Sequence, residues 1–223
     1  LNFIRDDAQL GDLVVAYRTE GGEWNEFVLS ELAADGRVEP KESSADSHAI
    51  SYLLGSGERP ELLLVEEFEC KQGEVLWRID FTNVGQVPIE IGDIALPETI
   101  NTRGSTYATR LNMHHFIAGD GFFIYWVRAD GSGDRLVMTP SKGTALEYFA
   151  GERIAFIHSA ATGTAERRGT WRKEHTSVTL SPNETVSYGF SLRLAEGYSG
   201  VREVLYEQGL FDVHVVPGMV VPR

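Results

Sequence analysis

The chain has 223 residues, of which 42% are hydrophobic and 24% are charged. This composition is typical of a soluble globular protein and argues against a disordered or membrane-embedded one. The formal net charge of −13 disfavours nucleic acid and anionic membrane surfaces as partners, because phosphates require clustered Lys and Arg. The charge does not argue against neutral ligands such as sugars. We expect no membrane insertion, since the longest apolar run, residues 122–127, is only strand-sized.

Residues 31–49 are polar and irregular, with strand expected only at their ends. The run LLLV at 62–65 is apolar on both faces, and VEEFEC continues it as a strand. That strand carries Cys70, which we interpret as a half-buried thiol; as the single cysteine it excludes an internal disulfide.

The next two segments alternate with a period of two, which indicates β-strands. In EVLWRIDFTN, residues 75, 77, 79 and 81 are apolar, and in VPIEIGDI the pattern continues at 87, 89 and 91. The residues between them, Asn83-Val84-Gly85-Gln86, have turn chemistry. The pattern therefore predicts a β-hairpin over these two strands.

Two adjacent histidines, His114 and His115, follow in TRLNMHHFIA, which we expect to pair with FFIYWVR. Adjacent residues of a strand point to opposite faces, so the two imidazoles are poorly placed to share a metal ion. Asp130 and Asp134 flank Gly-Ser-Gly but lack the ligand spacing of a calcium loop. The sequence thus predicts hairpin turns here, with no metal site and no cofactor.

The last third predicts strands and one short helix. ALEYF at 145–149 is weakly helical, IAFI at 154–157 is apolar on both faces, and VSYGFSLRL at 186–194 alternates cleanly. YSGVREVLYEQG predicts a helix that begins at Ser199 or Gly200 and has Gly209 just past its end. Pro217, Gly218 and Pro222 interrupt regular structure beyond it.

These elements predict an all-β fold, a large two-sheet antiparallel β-sandwich of the super-sandwich type with one short C-terminal helix. Strands that are apolar on both faces require two stacked sheets and a further cover over part of one outer face. We expect one sandwich domain over residues 1–214. Residues 215–223 are expected to begin a linker to a C-terminal domain.

The segment GTWRKEHTS contains the candidate ligand contacts. Strand alternation places Trp171, Lys173 and His175 on one side and Arg172 and Glu174 on the other. An exposed aromatic ring beside hydrogen-bonding groups is the usual means of binding a sugar, so Trp171, Arg172 and His175 are the candidate substrate-binding residues. The alternative is a Trp that anchors the two sheets beside a surface ion pair.

The sequence offers no identifiable catalytic residues. Glu66, Glu67 and Glu69 in LLLVEEFEC supply carboxylates, and glycoside hydrolysis uses two of them across a cleft. Glu67 and Glu69 share a face by alternation, which describes a solvated strand equally well.

Beyond these local patterns, the order of several segments resembles a known family. From about Glu61 to Met219, the chain is similar to the N-terminal part of domain-of-unknown-function family 5695. The segments that carry this similarity are, in order, VLWRIDFTNVGQVPIEIGDIALPE, HHFIAGDGFFIYWVRADGSGDRLVMTP, TALEYF, GTWRKEHTSVTLSP and YSGVREVLYEQGLFDVHVVPGM. FTNVGQVPIEIGDIALP is also similar to the leading sandwich of glycoside hydrolases and phosphorylases. In those proteins an (α/α)6 barrel follows and carries the catalytic carboxylates.

The resemblance implies a non-catalytic N-terminal module of a glycoside hydrolase-like protein, which supports a C-terminal catalytic domain and the substrate cleft. Two alternatives remain: a free-standing carbohydrate-binding module, and a saccharide-cleaving enzyme in its own right. The expected partners are an oligo- or polysaccharide and the chain's own catalytic domain. A saccharide-processing role favours a secreted or periplasmic location.

Overall fold

The computed structural model describes residues 10–35, 37–40, 43–55, 60–97, 111–116, 121–150, 154–165 and 175–211. For residues 40, 111–116, 148–150, 154, 164 and 165 only the backbone is described. Within these ranges the chain forms two antiparallel sheets and three short helices, which confirms the all-β sandwich. No helix among them is long and apolar enough to cross a membrane.

The smaller sheet contains six strands in the order β11-β12-β7-β1-β2, with β13 also paired to β7. Its strands, in chain order, are β1 (Val14–Thr19), β2 (Asn25–Val28), β7 (Ile89–Pro97), β11 (Tyr148–Ala150), β12 (Ile154–Ser159) and β13 (Val178–Leu180).

The larger sheet contains eight strands in the order β3-β4-β5-β6-β14-β10-β9-β8. These are β3 (Val38–Pro40), β4 (Ser47–Leu54), β5 (Leu62–Lys71), β6 (Glu74–Asn83), β8 (Leu111–Phe116), β9 (Phe123–Arg128), β10 (Arg135–Pro140) and β14 (Thr185–Ala195). The predicted pairing of TRLNMHHFIA with FFIYWVR is confirmed, since β8 pairs antiparallel with β9.

Period-two alternation builds the core between the sheets. On β6, Trp77, Ile79 and Phe81 are at most 4% exposed, whereas Arg78 between them is exposed. Neighbouring strands add Leu64 and Phe190, and the facing sheet contributes a matching apolar layer to one continuous cluster. Each large side chain buried in this way stabilises the fold by about 1.5–3 kcal/mol.

A helix supplies the outer cover that the doubly apolar strands require. α3 (Gly197–Glu207) lies on the outer face of the larger sheet, against β10 and β14. Its Val201, Val204 and Leu205 pack with Phe123 and Val137 of the sheet. The predicted C-terminal helix is therefore confirmed; it begins two residues earlier than expected, and Gly209 has the positive φ of a residue just past a helix end.

The sequence predictions of secondary structure need three corrections. Residues 31–49 were expected to contain strand only at their ends, and the start of β4 confirms this at the C-terminal end. However, β3 lies inside the segment, and α1 (Leu29–Ala34), whose Leu29 and Leu32 are buried, extends into it. ALEYF is not helical, because its last residues form β11 and pair with β12. A helix that the sequence did not predict, α2 (Ala160–Ala165), follows β12. Its AATGTA sequence has poor helix propensity, and the Asp93 carboxylate accepts hydrogen bonds from the Ala161 and Thr162 backbone N–H groups at its start.

The predicted hairpin of β6 and β7 is also wrong, because the chain crosses from the larger to the smaller sheet between them. Asn83, which is fully buried, holds this crossover. Its side-chain amide donates to the carbonyls of Val87 and Leu180 at 2.9 Å each, and its carbonyl accepts from the Gly85 N–H at 2.9 Å. The turn predicted between these two segments is present, but it connects strands of different sheets.

One carboxyl group, that of Glu66, faces inward from β5. It is 1% exposed, accepts a hydrogen bond from Trp77 Nε1–H at 3.1 Å, and contacts Gly11, where an added Cβ would lie 2.8 Å from Oε1. Burial raises the pKa of Glu66 to about 8, against the lowering effect of the Trp77 and Tyr52 hydrogen bonds. At neutral pH this side chain is therefore mostly a neutral acid.

Replacement of Asn83 by alanine is expected to lower the free energy of unfolding by roughly 2–4 kcal/mol, because it leaves buried carbonyls and an N–H group without partners. Urea denaturation measures the change. The matched control is Asn25→Ala, since the Asn25 side-chain amide donates to the Glu23 carbonyl at 3.4 Å in an exposed setting. Equal effects of the two substitutions would contradict the role given to Asn83.

Substitution Glu66→Gln is expected to remove a pH dependence. The folded-state pKa is raised from 4.5 to about 8, so the contribution of Glu66 to stability is fully present below pH 4.5 and is lost as pH rises to 8. At one pKa unit per ~1.4 kcal/mol, the wild type loses roughly 3–5 kcal/mol relative to the variant across that range. Denaturation at a series of pH values tests this, with Glu67→Gln on the opposite face as the control. Parallel profiles of wild type and Glu66→Gln would refute it.

Candidate functional site

The structure describes one of the three predicted substrate-binding residues. His175 lies just before β13 and is half-buried, whereas Trp171 and Arg172 lie outside the described residues. His114 and His115 are consecutive residues of β8, paired with Tyr125 and Ile124 of β9. Their side chains are not described, so the predicted divergence of the two imidazoles stays a prediction. Among the described side chains, no group of three or more His, Cys, Asp or Glu residues could hold a metal ion.

His175 joins a polar cluster between β12 and β13. Its Nδ1 lies 2.7 Å from Ser159 Oγ, and the Ser159 hydroxyl donates to Glu147 Oε1 at 2.6 Å. Ser159 is fully buried and Glu147 is 8% exposed. A buried carboxylate is costly unless several donors reach it, and this cluster supplies them.

A second branch of the cluster reaches the larger sheet. The Thr176 backbone N–H and hydroxyl both donate to Glu147, at 3.0 and 2.8 Å from Oε2. Thr176 Oγ1 lies 2.7 Å from His158 Nδ1, and His158 Nε2 lies 2.6 Å from the Tyr188 hydroxyl. Because His158 belongs to β12 and Tyr188 to β14, this branch connects the two sheets through hydrogen bonds.

The two ring groups of this branch are neutral at physiological pH. Burial lowers the pKa of His158, against the raising effect of Glu147 and Asp93, and burial raises the pKa of Tyr188 well above its usual range. The phenol therefore keeps its proton and forms a hydrogen bond with a neutral imidazole. Within the cluster, the Glu147 carboxyl group accepts from the hydroxyls of Ser159 and Thr176 and from the Thr176 backbone N–H.

The Ser159–His175–Glu147 grouping is not a nucleophilic triad. A serine nucleophile must reach its substrate and must give its proton to a histidine. Ser159 has no exposed surface, and its proton is directed at the carboxylate. These residues can hold an imidazole in place, but Ser159 cannot attack a ligand.

The carboxylates of VEEFEC do not form an evident acid–base pair either. Glu67 and Glu69 line an open groove of about 300 Å³ on the outer face of the larger sheet, together with Leu76, Arg78, Lys142 and Ser187. Glu67 forms a salt bridge with Arg78 at 2.7 Å, and Arg78 also contacts Asp80 at 3.1 Å. This pairing supports the interpretation as a solvated strand face.

Another aromatic residue, Trp24, is covered by its neighbours. The Arg18 guanidinium lies 4.0 Å from the Trp24 ring centroid, and the same ring packs onto Gly92, where an added Cβ would collide with it. Arg18 is held there by Glu90 at 2.8 Å. A sugar can stack only on an open face of an aromatic ring, and Arg18 covers one face of the Trp24 ring.

Sequence reasoning found His175 but missed the residues that hold it. Glu147 lies in the segment that was predicted as a helix, and Ser159 and His158 end an apolar strand. Tyr188 looked like an ordinary inward residue of a clean strand. No local motif marks this cluster, because its members come from four separate segments that only the stacked sheets bring together.

We expect His158→Gln to flatten the acid limb of the stability profile. The pKa of His158 is lowered in the folded protein, so its contribution to stability is fully present above pH 6.5 and is lost as pH falls through the folded-state pKa. Glu66 gives the opposite pH trend, but it is present in both proteins. Its contribution is therefore removed when the stability of the wild type is subtracted from that of the variant at each pH. Thermal unfolding from pH 8 to pH 5 measures it, with the exposed His48→Gln as control. An unchanged acid limb in His158→Gln would contradict the neutral state of this half-buried ring.

A solved polysaccharide lyase structure shares this fold, and two further solved structures show a weaker likeness. A polysaccharide lyase (BACCELL_00875) is 16% identical, with a TM-score of 0.62 over 89% of this chain and 28% of its own. The α-galactosidase AgaB of Geobacillus stearothermophilus is 10% identical, with a TM-score of 0.49 over 86% and 31% of the two chains. A putative aldose 1-epimerase of Escherichia coli K12 is 11% identical, with a TM-score of 0.45 over 71% and 68%. The chain thus spans less than a third of the length of the lyase.

Sequence comparison gives the family. No curated protein matches the chain. The model of a family of unknown function, DUF5695, matches residues 4–155, which confirms the resemblance found in the sequence, although the matched range differs from residues 61–219. Because this match covers more than half of the chain, the protein belongs to the DUF5695 family.

Proposed function

We propose that this chain is a non-catalytic β-sandwich module of a larger carbohydrate-active protein and that it supports a separate catalytic domain. The observation that carries the proposal is the fold match to the polysaccharide lyase, which uses most of this chain but only 28% of the lyase chain. The same sandwich is thus one part of a larger saccharide-processing protein. The fold alone does not fix an activity, so the proposal concerns the type of module.

The contacts of the described carboxyl groups favour a structural role beside a catalytic domain over independent catalysis by this chain. Its buried carboxyl groups are committed to internal partners: Glu66 to Trp77, Glu147 to Ser159 and Thr176, and Asp93 to α2. Glu67 pairs with Arg78. Glycosidic cleavage by two carboxyl groups needs an acid and a base that face one cleft, and these four carboxyl groups are engaged with partners inside the protein or on the strand surface.

The surface around α3 is suited to contact a neighbouring domain. Four large apolar side chains are more than half exposed on or beside this helix: Leu194, Tyr198, Tyr206 and Phe211. Aromatic residues are enriched where protein surfaces meet. A domain that follows in the chain would be tethered beside this surface, and we expect it to cover these residues.

A carbohydrate-binding module is the second candidate, and one observation favours it. His175, one of the predicted contacts, is held in place by a hydrogen bond with Ser159, whose hydroxyl in turn donates to Glu147. Under this alternative, Trp171 stacks on a sugar ring while Arg172 and His175 bond its hydroxyl groups.

Calorimetric titration of the isolated chain against a glycan panel separates the two candidates. The supporting role predicts no measurable heat with any glycan. The binding module predicts heat that Trp171→Ala abolishes and that Trp24→Ala, a control for loss of an indole elsewhere, leaves unchanged. Trp171-dependent binding would replace the first candidate with the second.

The supporting role itself is tested by reading the gene past the codon for Arg223 and assaying the whole translation product. We expect a following helical domain, polysaccharide cleavage by the whole product, and no cleavage by the 223-residue chain. Cleavage by the chain alone, or a stop codon directly after Arg223, would refute the proposal.

A further inference from the structure

The turn that connects β13 to β14 presents an exposed asparagine. Its four residues are closed by a hydrogen bond from the Glu184 N–H to the Ser181 carbonyl at 2.9 Å. Pro182 stands at the second position and Asn183 at the third, where φ is 66°. Proline at the second position and a positive φ at the third are the features of a type II turn, and asparagine is one of the few residues that adopt this φ readily.

The turn is held by contacts that do not involve the Asn183 side chain. The backbone N–H of Asn183 donates to the Asn83 carbonyl at 2.8 Å, and the Asn83 N–H donates to the Glu184 carbonyl at 3.0 Å. The Glu184 carboxylate accepts from the Ser181 N–H at 2.8 Å. The side-chain amide of Asn183 is exposed and forms no hydrogen bond with a described residue. A group attached to Nδ2 would therefore displace none of the contacts that hold the turn.

The sequence around Asn183 is an acceptor motif for sugar chains. Asn183-Glu184-Thr185 has the pattern Asn-X-Ser/Thr, with X other than proline, that N-glycosylation requires. Of the six asparagines in the chain, only Asn183 is followed two positions later by serine or threonine. All three residues of the motif are exposed. The motif alone is common, but here it coincides with a surface turn and an unengaged amide.

The same end of the sandwich carries exposed apolar side chains. Val84, which directly follows Asn83, is 36% exposed, and Val87 is 51% exposed. The other exposed large hydrophobic side chains among the described residues lie on or beside α3. An N-linked sugar chain is bulky and polar. Attached to the neighbouring turn, it would limit the contact of this apolar surface with other molecules.

A sugar chain on this turn would leave α3 accessible. β14 begins directly after the motif's second residue and runs for 11 residues, and α3 follows it from Gly197. At a rise of about 3.4 Å per residue, the strand separates the turn from the helix by roughly 35 Å. The aromatic surface on α3 and the Asn183 turn thus lie at opposite ends of β14.

We propose that Asn183 is the acceptor of an N-linked oligosaccharide when the chain passes through a secretory compartment. The donor is an oligosaccharide joined through C1 to a polyprenyl pyrophosphate. The bond from C1 to the pyrophosphate oxygen breaks, and a bond forms between C1 and Nδ2 of Asn183. Nδ2 loses one proton, and the polyprenyl pyrophosphate leaves with the electron pair of the broken bond. This modification does not depend on whether a catalytic domain follows the sandwich.

Secretion of the chain from a eukaryotic cell, behind a cleavable signal peptide, tests the proposal. We expect peptide mass spectrometry to find a glycan on Asn183 in most wild-type molecules. Release of that glycan by peptide N-glycosidase in H₂¹⁸O should leave an ¹⁸O-labelled aspartate at this position, which identifies the point of attachment. A secreted chain with an unmodified Asn183 overturns the proposal.

Two valine substitutions separate the motif from the structure of the turn. The Thr185 hydroxyl lies 2.8 Å from the Thr82 hydroxyl, so either substitution removes the same hydrogen bond. Thr185→Val also removes the hydroxyl that the motif requires, whereas Thr82→Val leaves the motif intact. We expect complete loss of the glycan in Thr185→Val and wild-type occupancy in Thr82→Val. Loss in both variants, or retention in both, overturns the proposal.

The stability of the glycosylated chain tests the structural part of the inference. Because the Asn183 side chain makes none of the contacts that hold the turn, the midpoint of urea unfolding should be the same before and after enzymatic release of the glycan. A lower midpoint for the glycosylated form would show that the turn does not accommodate the modification, which contradicts the inference.

Protein secreted by the source organism shows whether the site is used in its natural setting. We expect the peptide that contains Asn183 to carry a glycan there as well. Recovery of that peptide only in its unmodified form overturns the proposal, whatever the recombinant chain shows.

Discussion

The alternation of side chains along paired strands is the constraint on which the rest of the structure depends. Because successive residues point to opposite faces, β5, β6 and β14 send Leu64, Ile79 and Phe190 into the space between two sheets and send Arg78 outward. Any polar group that falls on an inward position must then find a partner there. Glu66 and Glu147 are such groups, and each is paired in a different way.

The polar groups inside the sandwich show how these sites are resolved. Glu66 accepts hydrogen bonds from the Trp77 indole N–H and from Tyr52, which are too few donors to offset its burial. It is therefore mostly protonated at neutral pH. Glu147 receives two hydroxyls and a backbone N–H, enough donors to hold a carboxylate. Asn83 is uncharged and satisfies the backbone where the chain changes sheets. The functional candidate His175 is linked to Glu147 through the Ser159 hydroxyl.

Local patterns in the sequence were sufficient for the fold class, most strands and α3, because alternation and helical spacing depend on neighbours in the chain. They were insufficient wherever a partner is distant. The segments of β6 and β7 carried every local sign of a hairpin, yet Asn83 bonds Leu180, almost a hundred residues away, and the strands separate. α2 needs the carboxylate of Asp93, and the relay from Glu147 to His175 joins strands that only the tertiary fold brings together. The role of His175 as a sugar contact, which its neighbours in the sequence suggested, stays a prediction.

The central claim, that two stacked sheets sort side chains by alternation, is most directly tested by hydroxyl-radical footprinting of the native chain along β6. Labelling of each residue, relative to the urea-unfolded chain, is read by mass spectrometry. The structure predicts strong protection of Trp77, Ile79 and Phe81 and little protection of Arg78, which is 58% exposed. Protection that is continuous along β6, or that repeats every three to four residues, would contradict the account.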